Sequence, residues 1–202
     1  MRIGLDLDNT LISYETAFPS VARRMALLPP DFSGGKVAVR AYLRSQPEGE
    51  QQWRDLQAAV YGHEMNFAEM TPGAGQFLQR CRQEGAEVVI VSHKSRYAAN
   101  DRHYVNLRHA ALAWLDQQGV FDTAATGLSA ASLFFEESRD EKVQRIAALA
   151  PDCFVDDLPE VLLHPAFPSG VRPILFSPGE PPLSDIDVIS NWELLADELF
   201  GH

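Results

Sequence analysis

The chain has 202 residues, of which 46% are hydrophobic, and its formal net charge at pH 7 is −11. This length and composition allow a buried core, either in one domain with a sizeable insertion or in two small domains. The acidic balance argues against a nucleic-acid-binding or anionic-membrane surface, because no basic stripe is available to displace the counterions of phosphates. A small anionic substrate is still compatible with this charge if a metal ion offsets it locally.

The first residues, MRIGLDLD, lead directly into a predicted strand, without the charged leader and apolar stretch of a signal peptide. No run of about 18 apolar residues predicts a membrane span. Cys81 and Cys153 are far apart and match no metal-ligand spacing, which favours two reduced thiols. We therefore expect a soluble, cytoplasmic protein, and nothing in the sequence indicates its oligomeric state.

The spacing of apolar residues switches repeatedly between a period of about two and a period of about 3.6, which is typical of alternating β and α units. The predicted strands, in chain order, are 3–7, 88–91, 133–135, 153–155, 174–176 and 186–189, the last two at the outside of the sheet. The predicted helices of these units are 74–81, 104–115, 143–150 and 192–199.

The segment 13–70 has a different character, because it contains helical patterns around 21–28 and 53–60 but no strong strand. The turn-forming pairs Pro29-Pro30 and Gly34-Gly35 interrupt these helices. We interpret the segment as a helical insertion after the first strand. Since it leaves the sheet at a strand's carboxyl end, it could form a lid over a site there.

Three predicted strands end at residues suited to phosphate chemistry. Asp6 and Asp8 follow the first strand, Ser92 ends the second, and Asp156 and Asp157 follow the strand at 153–155. An open α/β sheet collects its ligands at the carboxyl ends of its strands, where these residues could meet in one crevice.

Two carboxylates separated by one residue, as in DLDNT, can divide the work of phosphoryl transfer. One can attack phosphorus, while the other exchanges a proton with the leaving group and then with water. A Mg²⁺ ion held by Asp6 and Asp156 would offset their repulsion and bridge to the phosphate. A calcium loop is excluded, because Thr10, Leu11 and Ala17 occupy positions that such a loop needs for its ligands and glycine. The alternative interpretation of DLDNT is an acidic turn that is simply solvated.

The other polar residues have ordinary explanations of their own. Ser92 can offer a hydroxyl to a phosphate oxygen, but serine is also common as a capping residue at strand ends. Lys142 precedes Asp156 by fourteen positions and could brace a bound phosphate, although most helix lysines are simply solvated. Asp156 and Asp157 favour metal binding, because adjacent carboxylates after an apolar strand repel each other unless solvated or bound to a cation.

The order DxDxT, Ser, Lys and DD resembles the haloacid dehalogenase (HAD) superfamily, specifically its Mg²⁺-dependent phosphatase branch. The resemblance covers nearly the whole chain outside the insertion and includes TPGAGQFLQRCRQEGAEVVIVSHKS. It implies an α/β fold in which a Rossmann-like parallel sheet carries a small helical cap after its first strand. The catalytic core would be 1–12 and 71–202, and the cap would be 13–70.

The resemblance also implies roles for the matching residues. Asp6 would be the nucleophile and Asp8 the general acid and base. Phosphate would be bound by Ser92, Lys142 and Asn9, and Mg²⁺ by Asp6, Asp156 and Asp157 together with the backbone carbonyl of Asp8. Two features depart from the family pattern: SHK replaces the commoner Thr/Ser-Asn, and the interval from lysine to aspartate is short. Lys94 therefore competes with Lys142 as the lysine at the phosphate.

The expected activity is Mg²⁺-dependent hydrolysis of a small phosphorylated metabolite through an aspartyl-phosphate. A phosphomutase or other phosphotransferase would use the same motifs, with a second substrate hydroxyl in place of water. A non-catalytic phosphoprotein or interaction module is a further alternative. Asp8 argues against it, because a phosphate store needs no proton donor for a leaving group.

Overall fold

The computed structural model describes residues 1–98, 104–178 and 186–201. The strands in these residues are β1 (Arg2–Leu5), β2 (Ile12–Ser13), β3 (Glu69–Met70), β4 (Glu87–Ser92), β5 (Leu133–Phe135), β6 (Cys153–Asp156), β7 (Arg172–Phe176) and β8 (Asp187–Ile189). The helices are α1 (Ala17–Arg24), α2 (Lys36–Arg44), α3 (Gly49–Tyr61), α4 (Ala74–Gln83), α5 (Leu107–Gln117), α6 (Arg139–Leu149), α7 (Pro159–Leu162) and α8 (Trp192–Phe200).

Six of the strands form one parallel sheet in the order β5-β4-β1-β6-β7-β8. The chain moves outward from β1 to β4 and β5, returns to β6, and then moves outward in the opposite direction through β7 and β8. The strand order therefore reverses between β1 and β6, and ligands of doubly wound sheets bind at such a reversal. The predicted α/β class with a parallel sheet is confirmed, and β7 and β8 lie on one outer side as expected.

Helices cover both faces of this sheet. Val143 of α6 and Val161 of α7 pack with Phe154 and Leu175 on one face. Successive strand residues point to opposite faces, so Phe176 points away from Leu175. Its ring stacks on Trp192 of α8 at 5.0 Å, and Trp192 also contacts Phe77 of α4 at 4.9 Å. The sheet is thus buried on both faces, which explains why its central strands are continuously apolar.

This packing requires the glycine at residue 4, in the middle of β1. Gly4 pairs with Val89 on one side and with Phe154 on the other. A Cβ atom added to Gly4 would lie 2.4 Å from Cδ2 of Phe154. Any side chain at residue 4 would therefore displace the Phe154 ring, which packs against this glycine.

The contacts divide the chain into two units. The first comprises Met1–Leu11, Met70–Lys94 and Leu115–His202, and it contains the six-stranded sheet. The second comprises Ile12–Glu69 and Ser95–Trp114, and its helices include α1, α2 and α3. The short pair β2 and β3 lies where the chain leaves the first unit and returns to it. No sequence pattern indicated that 95–114 belongs with the second unit, and the cap with bounds 13–70 stays a prediction.

The second unit has its own aromatic core. Phe18 of α1 stacks on Trp53 of α3 at 4.9 Å, and Tyr14 meets the edge of Tyr61 at 4.7 Å. Helix α1 ends at Arg24, earlier than the predicted 28, because Ala26 adopts a left-handed φ of 54°. The backbone N–H of Leu27 then donates to the carbonyl of Ala22, which closes the helix end.

No helix in the described parts of the chain is long and apolar enough to cross a membrane.

Candidate active site

The register of the central strands brings two aspartates side by side. Leu5 of β1 pairs with Val155 of β6, and the backbone N–H of Asp6 donates to the carbonyl of Val155 at 2.8 Å. Asp6 and Asp156 are therefore neighbours at the carboxyl ends of β1 and β6, at the reversal of strand order. Both side chains are almost fully buried, with 5% and 0% exposed. They lie on the sheet face that α6 covers, since Asp156 shares the side of Phe154.

Helix α6 supplies the counter-charge. It begins after Ser138, whose hydroxyl accepts a hydrogen bond from the backbone N–H of Glu141 at 3.2 Å. Lys142, in the first turn, is fully buried. Its Nζ lies 2.5 Å from Oδ1 of Asp6 and 2.6 Å from Oδ2 of Asp156. Burial disfavours its charge, but the two carboxylates outweigh this cost and raise the pKa of Lys142.

A third carboxylate completes the cluster. Asp157 accepts a hydrogen bond at Oδ2 from Nδ2 of Asn9 at 3.1 Å. Asn9 has a left-handed φ of 60°, a conformation that asparagine tolerates better than most residues. The structure thus shows the Asn9 amide bound to a carboxylate, and its contact with phosphate stays a prediction.

One carboxylate oxygen each of Asp6, Asp156 and Asp157 lies within 4.8 Å of the others, close enough to share one metal ion. Burial, and next the charge of Asp6, raise the pKa of Asp156 to about 7 and that of Asp157 to about 8. Among the described residues, Oδ2 of Asp156 is also a buried oxygen without a well-oriented hydrogen bond, although Lys142 lies beside it. A cluster of three carboxylates, two of them with raised pKa values, fits a hard divalent cation, which would neutralise their charge.

The end of β4 forms a second part of the site. Ser92 is buried, and its Oγ accepts a hydrogen bond from the backbone N–H of Lys94 at 3.2 Å. The Lys94 side chain is only 4% exposed, and its Nζ lies 2.7 Å from Oδ1 of Asp8. Asp8 is more accessible than Asp6, with 25% of its side chain exposed against 5%.

The structure therefore brings together the predicted residues Asp6, Lys142, Asp156 and Asp157, with Asn9 at the edge of the cluster. Asp8 adjoins this group and is bound to Lys94. Of the two competing lysines, Lys142 contacts the cluster and Lys94 contacts Asp8. The role of each lysine toward a phosphate stays a prediction.

Sequence reasoning gave no site role to His93. Its imidazole is half-buried among Lys142, Asp6, Asp8 and Arg139. Burial, followed by the charge of Lys142, lowers the pKa of His93. The available signal was its position next to Ser92, but a loop after a strand is normally polar, so position alone could not identify it.

Hydrogen bonds also fix the turn that carries Asp8. The Oγ1 of Thr71 donates to the carbonyl of Thr10 at 2.7 Å and accepts from Nε1 of Trp192 at 2.8 Å. The three groups are buried. The end of the DLDNT turn is thereby anchored to the start of α4 and to α8.

No family model and no curated protein matches this chain. Several solved structures do. One is described as a dehalogenase with an intermediate complex, with 15% identity, a TM-score of 0.60, and coverage of 100% of this chain and 97% of that one. A HAD family hydrolase from Deinococcus radiodurans with bound phosphate and sodium has 15% identity, a TM-score of 0.53, and coverage of 98% and 94%. A predicted phosphatase from Clostridium acetobutylicum has 13% identity, a TM-score of 0.57, and coverage of 100% and 98%. At such identities the likeness shows the fold alone.

Proposed function

We propose that this chain, which has the fold of the HAD-superfamily hydrolases and phosphatases, is a Mg²⁺-dependent phosphomonoester hydrolase acting on a small phosphorylated metabolite. The observation that carries the proposal is the buried cluster of Asp6, Asp156, Asp157 and Lys142 at the reversal of strand order. Asp8 lies two residues from Asp6 and is more accessible.

The cluster's acidic residues fit a magnesium ion. Asp6, Asp156 and Asp157 would hold it. The family resemblance adds the backbone carbonyl of Asp8 as a further ligand. A bound Mg²⁺ would supply positive charge beside the phosphoryl oxygens. The Lys142 ammonium lies between Asp6 and Asp156, where it offsets part of the negative charge that the two carboxylates would carry.

In the first half of the proposed reaction, a carboxylate oxygen of Asp6 attacks phosphorus and the bond from phosphorus to the leaving oxygen breaks. Asp8, as the carboxylic acid, gives its proton to that oxygen. In the second half, Asp8 removes a proton from water, the water oxygen bonds to phosphorus, and the bond from phosphorus to Asp6 breaks. Inorganic phosphate leaves, and Asp8 is again protonated.

Ser92 is suited to hold a phosphoryl oxygen. Because its Oγ already accepts the backbone N–H of Lys94, its own hydroxyl proton can be donated to a ligand. The hydrogen bond from the backbone N–H of Lys94 limits the directions in which the hydroxyl proton of Ser92 can point. Ser92 would thereby orient the phosphoryl group.

The fold also occurs in a protein described as a dehalogenase, so the chemistry has to be argued from the residues. A halide leaves without a proton, whereas the alkoxide of a phosphomonoester needs one. The carboxyl group of Asp8, partly accessible beside the buried Asp6, therefore favours phosphoryl transfer.

The experiment is phosphate release from p-nitrophenyl phosphate with Mg²⁺ and with EDTA, followed by a screen of phosphorylated sugars, nucleotides and amino acids. We expect turnover that needs Mg²⁺. Addition of simple alcohols distinguishes a phosphotransferase, because that enzyme would form new phosphate esters instead of free phosphate. Absence of Mg²⁺-dependent release from every ester would contradict the proposal.

A further inference from the structure

Lys94 is an unusual lysine for its place in the fold. It lies two residues after the end of β4, in a loop that would normally leave a lysine in water. Only 4% of its side chain is exposed. Burying such a flexible side chain costs up to about 2 kcal/mol of conformational entropy. A specific partner must therefore compensate, and Asp8 lies 2.7 Å from its Nζ.

The two carboxylates of the DLD sequence are contacted by different lysines. Lys142 reaches Asp6 from helix α6, and Lys94 reaches Asp8 from the end of β4. The backbone of Lys94 is held as well, since its N–H donates to Oγ of Ser92 at 3.2 Å. The ammonium of Lys94 is thus presented from a fixed backbone position to one oxygen of Asp8.

An aspartate carboxylate rotates easily about its last bond, because that torsion has broad, roughly two-fold preferences. The hydrogen bond from Lys94 to one oxygen of Asp8 restricts this rotation. We infer that Lys94 is a positioning residue, which holds the carboxyl group of Asp8 in the orientation from which it transfers the leaving-group proton. This inference rests on the function proposed above.

The inference makes a prediction that an ordinary structural ion pair does not make. If Lys94 acts through Asp8, its loss impairs proton transfer to the leaving group and leaves attack by Asp6 intact. The defect then depends on the leaving group. Nitrophenolate departs readily without a proton, whereas phenolate, whose conjugate acid resembles the tyrosine side chain with a pKa of about 10, benefits from one.

The test compares kcat/KM for p-nitrophenyl phosphate and phenyl phosphate, two substrates of closely similar shape. This constant includes the step in which the leaving group departs. Lys94→Met removes the ammonium and keeps most of the apolar stem. General acid catalysis contributes about 10²- to 10⁴-fold, so we expect the nitrophenyl-to-phenyl ratio of kcat/KM to rise about tenfold or more. Asp8→Asn should raise it at least as much.

Arg96→Met is the matched control, since it removes an exposed cation two residues further along the chain. Its ratio should equal that of the wild type. If Lys94→Met folds poorly, Lys94→Gln keeps a neutral N–H donor and reads the same ratio, with a smaller expected rise. An unchanged ratio in the folded Lys94 variants, whether both rates fall together or neither falls, would overturn the inference. Failure of the proposed function would look different, because the wild type would then hydrolyse neither ester.

Discussion

Replacement of Lys142 by methionine tests how the buried charges depend on one another. The side chain is fully buried between Asp6 and Asp156, at 2.5 and 2.6 Å. Its loss leaves these carboxylates, and Asp157 beside them, without their shared ammonium. Removing one partner of a buried ion pair costs about 3–5 kcal/mol, because the remaining charge is uncompensated. For a chain of this length each kcal/mol lowers Tm by about 2–4 °C, so Tm should fall by about 6–20 °C.

The assay is thermal unfolding followed by circular dichroism, with EDTA and with Mg²⁺, at low and at neutral to alkaline pH. Mg²⁺ should restore part of the lost stability, since it supplies the missing positive charge. The loss of stability should also be smaller at low pH, where Asp156 and Asp157 carry protons because their pKa values are raised.

Lys36→Met in the second unit is a matched control. The Lys36 ammonium lies 5.3 Å from the centre of the Phe18 ring, a contact worth about 1 kcal/mol or less at a partly exposed site. A Tm change in Lys142→Met no larger than in this control would refute the reasoning.

Three further predictions concern the pH dependence of stability, the relative roles of Asp156 and Asp157 in metal binding, and the proposed cap. First, the metal-free protein should lose stability as pH rises from about 4 to about 8, because Asp156 and Asp157 keep protons in the folded state that the unfolded chain releases; the slope is at most about 1.4 kcal/mol per pH unit for each group. Mg²⁺ replaces those protons, so calorimetry should show that Mg²⁺ binding releases protons within this pH range and becomes tighter as pH rises through it. A Mg²⁺ affinity independent of pH would contradict the assignment. Second, Asp156→Ala should raise the Mg²⁺ concentration needed for activity far more than Asp157→Ala, since Asp156 is the more deeply buried and is not shared with Asn9; equal requirements would reverse this ranking. Third, Arg40→Ala in α2 should lower kcat/KM for the physiological substrate much more than for p-nitrophenyl phosphate if the cap selects substrates, and an equal effect on both would argue against that role.

Most of the sheet could be predicted from the sequence, because strands buried on both faces are continuous apolar runs bounded by polar residues. The strand β5 (Leu133–Phe135) occurs where it was predicted, and β4 and β6 extend the predicted runs by one or two residues. Helix α2 was not predicted. Only Val39 and Leu43 of its residues are buried, so its apolar stripe is too short to reveal a period.

The sequence could place the carboxylates of the site at one edge of the sheet, but it could not predict which polar side chains bind each other there. Residues at the ends of parallel strands must share one edge of the sheet, which is why Asp6 and Asp156 could be placed together. The pairing of Lys94 with Asp8 depends on the side chain turning into the protein after β4. The bond between Asn9 and Asp157 depends on the left-handed backbone at Asn9. Neither the direction of the Lys94 side chain nor the backbone conformation of Asn9 produces a recognisable residue pattern in the sequence.

The most direct test of the central proposal is to trap the phosphorylated protein. Wild type and Asp6→Asn would be mixed with a substrate and Mg²⁺ and quenched in acid, and the phosphoryl group would be located by mass spectrometry of the intact chain and its peptides. The amide keeps the shape of Asp6 but is neither a nucleophile nor a good Mg²⁺ ligand, so the variant should be folded and inactive. We predict one phosphoryl group on Asp6 of the wild type and none on Asp6→Asn. Phosphate on another residue, or continued turnover by Asp6→Asn, would contradict the account.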